Sequence, residues 1–365
     1  MPSESAPAAF KDWFNAARYR AFADQMHAIA PRFDRAAFLD LTLDGLEARS
    51  LMERMGQTAI AAHAALPGTY RQKLAVLRTL APHIQHGFVS IALPDFVARF
   101  GLDDFETSLD ALRFFTRFGS SEFGIRPFIE RDPARALTVM LSWARTGDEH
   151  ERRLASEGCR PRLPWGRRLP SLVRDPVPLR PILETLKNDP ALYVRKSVAN
   201  NLNDIAKDHP DWMLDLLESW DLSAPHTAWI AKRAARTLIK RGHPRALKLF
   251  GIGAAPKVAT SLEVAPRRIT LGDTITLTAT LTSTNGRAQK LAVDYVVHYV
   301  KARGKTFAKV FKWTELTLDP RATATLTKRQ TIRDFSTRRH HAGTHRVELQ
   351  VNGRIVAETA FALRR

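Results

Sequence analysis

Cysteine is nearly missing. The 365-residue chain has one, Cys159, so no intramolecular disulfide can form and a reducing compartment is the expected home. Long apolar runs are missing too. The most apolar window, Phe88–Phe100, is broken by Pro94, Asp95 and Arg99 and is too short to span a bilayer. The opening MPSESAPAAFKDWF places Glu4 ahead of any basic residue and has no continuous apolar core, so no secretory signal is expected. Gly-rich phosphate loops and nucleophile-elbow patterns are absent, which argues against P-loop NTPases and serine hydrolases. His340, His341 and His345 lie close together, but no Cys or acid joins them at ligand spacing, so neither metal nor cofactor is expected. These absences leave a soluble cytoplasmic protein that does not use a membrane.

Acidic residues are scarce in one part of the chain only. Residues 1–149 carry 17 Lys/Arg and 18 Asp/Glu, a net −1. Residues 150–256 carry 19 and 11, and residues 257–365 carry 20 and 8. The net charge of +19 therefore sits almost wholly in the last 216 residues. A neutral half beside a strongly basic half is what a polyanion-binding surface requires, and nucleic acid is the expected partner.

What is present has helical period first and strand period last. Val194, Val198, Leu202 and Ile205 fall at i, i+4, i+8 and i+11, one apolar stripe of a helix. Asn200, Asn201, Asn203 and Asp204 fall off that stripe. At an offset of 36, Val194, Lys196, Val198, Ala199 and Leu202 align with Ile230, Lys232, Ala234, Ala235 and Leu238. At an offset of 77, Pro133, Leu137, Met140 and Trp143 align with Pro210, Leu214, Leu217 and Trp220. Such spacing predicts a HEAT-like α-solenoid over residues 1–255, a curved slab with one continuous concave surface. After Gly253 the period changes to two, in Thr274–Leu281, Leu291–Val297 and Val347–Val351. Asn352-Gly353 marks a hairpin turn. Roughly seven Thr-rich strands predict an immunoglobulin-like antiparallel β-sandwich over residues 256–365.

Between the helical repeats, Gly158–Pro181 packs six prolines and six arginines with Asp175 its only acid. Prolines at this density prevent a continuous helix. A loop of that length inside a repeat array is more often functional than accidental.

Three stretches, Ser121–Ile129 (SEFGIRPFI), Ser156–Trp165 (SEGCRPRLPW) and Asp189–Pro210, resemble the HEAT-like bacterial alkylpurine DNA glycosylases, and AlkC-type members more than AlkD-type ones. The resemblance covers about the first two thirds of the chain. The C-terminal third resembles the immunoglobulin-like domain that some AlkC members carry. The resemblance implies base excision repair: removal of cationic N3-methylated bases, 3-methyladenine and also 3-methylcytosine, from double-stranded DNA by a monomer. It also implies little or no base flipping, in keeping with a slab that offers no obvious nucleotide-sized pocket. By the same resemblance Glu157 and Asp204 match the catalytic acids and Trp165 the active-site tryptophan, with Glu122 a further acid near the site. Water activation falls to Asp204 or Glu157. Carboxylates suit the chemistry because an oxocarbenium-like sugar needs negative charge beside it, and a tryptophan face favours positive charge. Each residue also has a plain structural reading. Glu157 could pair with Arg152 or Arg153, Asp204 with Lys207, Glu122 with Arg126, and Trp165 could anchor its loop.

Expected phosphate contacts are Arg126, Arg152, Arg153, Arg160, Arg162, Arg195, Lys196, Lys232, Arg233 and Arg236. Arg195-Lys196 and Lys232-Arg233 lie one repeat apart. In Ser336–His345, Arg338 and Arg339 mark an arm for the backbone or minor groove, and the sandwich is expected to clasp DNA. The competing function is a non-catalytic HEAT scaffold for DNA or acidic proteins.

Overall fold

The computed structural model describes residues 10–84, 86–253, 255–302, 304–335 and 339–365. Helices run from Ala16–Ile29 to Pro244–Leu249, and eight strands follow. Among the described residues no helix is long and apolar enough to cross a membrane. The chain forms two compact units. One comprises residues up to His209 with Trp220–Ala234; the other comprises Pro210–Ser219 with Ala235–Arg365.

In the first unit the helix Leu192–Ile205 packs on Glu149–Glu157 and on Pro225–Ala234. Each helix covers its apolar face with neighbours from adjacent repeats. The Val194–Val198–Leu202–Ile205 stripe is buried as its spacing predicts. The polar side chains of Asn201, Asn203 and Asp204 on this helix are buried as well. Asn201 donates from Nδ2 to the Ser156 carbonyl at 2.8 Å, so a polar ridge is tolerated by bonding rather than by solvation. Cys159 lies beside it, fully buried, and burial pushes its thiol up to about 12. It packs as a small apolar group. The proline-rich stretch is not one long loop. Pro170 and Pro181 sit at the starts of the helices Pro170–Arg174 and Arg180–Leu186, where a missing N–H costs nothing.

In the second unit β1 (Val258–Ala265), β3 (Thr274–Ser283) and β6 (Thr323–Thr331) make one sheet in the order β1-β3-β6. The other runs β2-β8-β7-β4-β5, with β2 (Arg268–Thr270), β4 (Gln289–Val300), β5 (Thr306–Leu318), β7 (Gly343–Val351) and β8 (Arg354–Arg364). All pairs are antiparallel except the three-residue β2–β8 ladder, which is parallel. The core between the sheets is Ile275, Leu277, Leu281, Val293, Tyr295, Val347, Leu349 and their neighbours, at alternate positions along each strand. His340 and His345 are buried in this unit rather than extended toward a partner. His340 meets Tyr299 edge-on, and His345 stacks on Phe361 at 5.0 Å.

Three short helices belong to the same unit. Arg245 reaches Asp211, Asp215 and Glu218 at 3.0, 2.7 and 2.8 Å. Gly353, at φ 77°, lies so close to Gly242 that an added Cβ would fall 2.1 Å from the Gly242 Cα; only glycine fits there. Gln350 donates to the Lys240 carbonyl. Nearby, Asp294 is buried on β4. Burial pushes its carboxyl up to about 6 from 3.8, against the pull of Lys240 and Lys312 and with the push of Glu315. A carboxyl raised on folding stabilises fully below its unfolded value and loses that contribution as pH rises through the folded value. Asp294→Asn should therefore raise stability by about 2–3 kcal/mol at pH 8 and change little at pH 4. Urea unfolding of both proteins at the two pH values checks this. A less stable variant at pH 8 would mean that attraction to Lys240 outweighs burial.

Candidate active site

Asp148 caps the helix Glu149–Glu157 by accepting from the His150 and Glu151 amides. Four-residue spacing on that helix puts Arg153 and Glu157 on one face, with Arg153 Nη2 3.6 Å from Glu157 Oε1. Glu122 comes from the turn before the helix Arg126–Arg131. That turn packs tightly. A Cβ on Gly124 would meet the Pro94 carbonyl at 2.6 Å and Leu112 at 2.8 Å, and Ser121 Oγ donates to the Leu112 carbonyl. Asp204 arrives near the end of Leu192–Ile205.

The three acids expected to act together do converge, but arginines separate them. Arg153 Nη2 lies 2.5 Å from Glu122 Oε2. Arg160 Nη1 donates to Glu157 Oε1 at 2.6 Å, and its Nε donates to Asp204 Oδ2 at 2.9 Å. Lys207 closes the row on Asp204 Oδ1 at 2.8 Å. The order is Glu122–Arg153–Glu157–Arg160–Asp204–Lys207. Both Asp204 oxygens are engaged and its side chain is 3% exposed. Glu122 and Glu157 each keep one oxygen without a hydrogen bond among the described residues: Glu122 Oε2 receives Ser120 Oγ as well as Arg153, and Glu157 meets Arg160 and Arg153 through Oε1. The sequence suggested Arg126 as a partner for Glu122; Arg153 takes that place.

Glu122 lines an open cleft of about 410 Å³ with Phe88, Phe118, Phe123, His150, Arg153, Trp165 and Tyr193. A slab of bare helical repeats was not expected to hold a space of nucleotide size. The cleft exists because segments between helices supply aromatic walls. Trp165 is 58% exposed and stands at φ 63°, a left-handed conformation that is costly for a bulky side chain. Phe10 meets it edge-on at 5.8 Å and continues the aromatic surface through Trp13 and Phe88.

Arg126 holds the Trp165 loop. Its Nε donates to the Arg167 carbonyl at 2.6 Å, and Nη1 donates to the Gly158 and Arg160 carbonyls at 2.9 Å each. Leu169 N donates to the Pro161 carbonyl and Gly166 N to Leu163. The two limbs of the loop are thus tied on both sides of Trp165. Arg126 is fully buried, which corrects the expectation that it contacts phosphate: a guanidinium without solvent exposure has no route to one. Burial pushes it down to about 10, so it stays charged at neutral pH.

The other expected phosphate contacts divide in two. Arg160 and Arg153 are committed to the carboxylate row. Arg152 forms a two-pronged pair with Asp189 and also donates to the Thr146 and Gly147 carbonyls. Those three positions do not present free charge, because acids that are distant in sequence reach them. Arg162 pairs with Asp208 at a part-exposed position. Lys196 and Arg233 are exposed and Arg195 is partly so, whereas the Lys232 ammonium is buried, which corrects the expectation that it contacts phosphate. Trp229 brings two of these together, with Arg195 at 5.7 Å and Arg233 at 5.4 Å from its ring centroid. Sequence reasoning passed over Trp229, Tyr193 and His150. Tyr193 carried a signal, as an aromatic residue off the apolar stripe of its helix. In the other unit Arg236 is part-buried and Arg339 exposed; Arg338 lies outside the described residues.

Comparison with known proteins adds to this geometry. Residues 115–242 match the family described as "DNA alkylation repair enzyme". Residues 258–365 match "Uncharacterised protein YhaZ, C-terminal Ig-like domain". The uncharacterized protein YhaZ of Bacillus subtilis (strain 168) is 42% identical over 327 residues, covering 89% of this chain and 91% of that protein. Pseudomonas fluorescens alkylpurine DNA glycosylase AlkC, solved bound to DNA containing an abasic site analog, is 48% identical. Its structure covers 98% of this chain and 100% of its own, with a TM-score of 0.93.

Proposed function

The chain belongs to the DNA alkylation repair enzyme family, in the group ending in a YhaZ-type Ig-like domain, and from that premise we propose that it is a DNA glycosylase for cationic N3-methylated bases. A base carrying a fixed positive charge is already a good leaving group, so no acid is needed to protonate it. The remaining demands are negative charge beside the developing oxocarbenium sugar and a positioned water. Glu122 answers both best, since it lines the cleft together with the exposed Trp165 and its Oε1 takes no hydrogen bond among the described residues. That juxtaposition carries the proposal. Glu157 and Asp204 lie behind Glu122 and keep the row anionic at alternate positions; the enclosure of Asp204 makes it the less suitable group to hold the water. The Trp165 face adds quadrupole stabilisation of positive charge. Arg195, Lys196 and Arg233 are suited to backbone phosphates of duplex DNA, and the basic charge of residues 257–365 supports a further contact with DNA. The protein acts as a monomer in bacterial cytoplasm, with the damaged base little displaced.

Incubation with methylated duplex DNA should release free methylated base and leave abasic sites, read by chromatography and by strand cleavage in alkali. A scaffold would bind the same DNA and release nothing.

A further inference from the structure

We propose that Arg153 is a positioning residue for this excision, holding Glu122 in the orientation that leaves one carboxylate oxygen open to the cleft. The inference rests on the glycosylase reading. Charge pattern alone puts Arg153 among the phosphate contacts; its surroundings assign it differently. Nη2 lies 2.5 Å from Glu122 Oε2 and 3.6 Å from Glu157 Oε1, and Nη1 donates to Ser120 Oγ at 2.7 Å. Ser120 Oγ in turn donates to Glu122 Oε2 at 2.8 Å. Two groups thus converge on Oε2, and the carboxylate plane is set. Oε1 is left without a hydrogen bond among the described residues. The guanidinium lies over the Tyr193 ring, 5.0 Å from Cζ to centroid, a cation–π contact that disfavours its swinging toward solvent. Its side chain is only 13% exposed.

Three segments of the chain meet at this guanidinium. Arg153 is on Glu149–Glu157, Tyr193 opens the helix Leu192–Ile205, and Ser120 and Glu122 lie in the turn before Arg126–Arg131. A phosphate on Arg153 would have to compete with Glu122 for the same guanidinium edge, and winning would disorder the carboxylate that the chemistry uses. The planar fork can serve Glu122, Ser120 and Glu157 at once while stacking on a ring. A lysine ammonium is a point charge that can pair with one acid but cannot reproduce the fork or the stack.

The test compares wild type, Arg153→Met, Arg153→Lys, Arg153→Ala and Tyr193→Leu under single-turnover conditions, with DNA dissociation constants measured in parallel. Arg153→Met should lower the saturating rate by ~10²-fold, the usual cost of a misplaced reacting group, while the dissociation constant stays within about threefold, since no phosphate contact is lost. Arg153→Lys should recover part of the rate. Tyr193→Leu should lower the rate with affinity retained. Guanidinium at a non-denaturing concentration should partly restore Arg153→Ala, which general loss of structure would not allow. If Arg153→Met fails to fold, the Lys and Leu variants give the same reading. Weaker DNA binding at an unchanged saturating rate would overturn the proposal and return Arg153 to the phosphate contacts. A variant as active as wild type in both respects would overturn it too. Wild type that releases no base would sink the glycosylase reading itself, and this inference with it.

Discussion

Replacing Glu122 by glutamine is expected to lower the saturating single-turnover rate of base release by at least ~10²-fold, the scale of losing one transition-state charge contact. DNA affinity should hardly change. Glutamine keeps the length and planarity of the side chain, and its amide oxygen can still receive Ser120 Oγ. What is lost is the negative charge at the cleft wall, where positive charge develops on the sugar. The expectation is specific to Glu122 because the other two acids are differently placed. Asp204 has Arg160 on one oxygen and Lys207 on the other. Glu157 takes both Arg160 and Arg153 on Oε1 and, unlike Glu122, is not among the residues lining the cleft. Asp204→Asn and Glu157→Gln therefore act through the row, by letting its arginines shift. A Glu122→Gln enzyme that excises at the wild-type rate would remove Glu122 from the mechanism.

Arg126→Met should be the most disruptive single change to the site. The Gly158 and Arg160 carbonyls would lose their donor in a buried setting, and the Arg167 carbonyl in a part-buried one. An unsatisfied buried carbonyl costs about 1–3 kcal/mol, so a loss of roughly 3 kcal/mol or more is expected in urea unfolding. Relief of the buried guanidinium's desolvation offsets part of the gross cost. The same loop holds Trp165 at φ 63° and carries Arg160, so excision should collapse even at temperatures where the variant is folded. Stability within experimental error of wild type would show that the carbonyls find other donors and that Arg126 does not set the loop.

Much of the architecture was legible in the sequence, for a physical reason. The helix Leu192–Ile205 and strands such as Thr274–Ser283 bury one face of their own, so period alone reveals them. β5 and β6 were not singled out, because Lys309, Lys312, Lys328 and Arg329 interrupt a half-exposed, Thr-rich alternation. Asn201 falls beside the apolar stripe by helical period, but its partner is a carbonyl 45 residues away, and nothing local in the sequence encodes that bond. The candidate site was legible as a set of motifs but not as an arrangement. Glu122, Glu157, Trp165 and Asp204 were all named, and Trp165 and Glu122 line one cleft. Arginine was where sequence reasoning failed most. Arg126, Arg152, Arg153 and Arg160 look alike as local basic charges. Only the fold makes one a pin for carbonyls, one a partner of Asp189 and two the spacers of a carboxylate row.

The central claim is that the lesion supplies its own leaving-group charge and the protein supplies a carboxylate at the sugar. The most direct measurement is a single-turnover comparison on matched duplexes, one carrying 3-methyladenine and one carrying uracil, at saturating protein. Rapid release of 3-methyladenine is expected, with no release of uracil above the uncatalysed background. Excision of uracil at a comparable rate would contradict it, because a neutral base needs a proton donor and a pocket that this mechanism does not use.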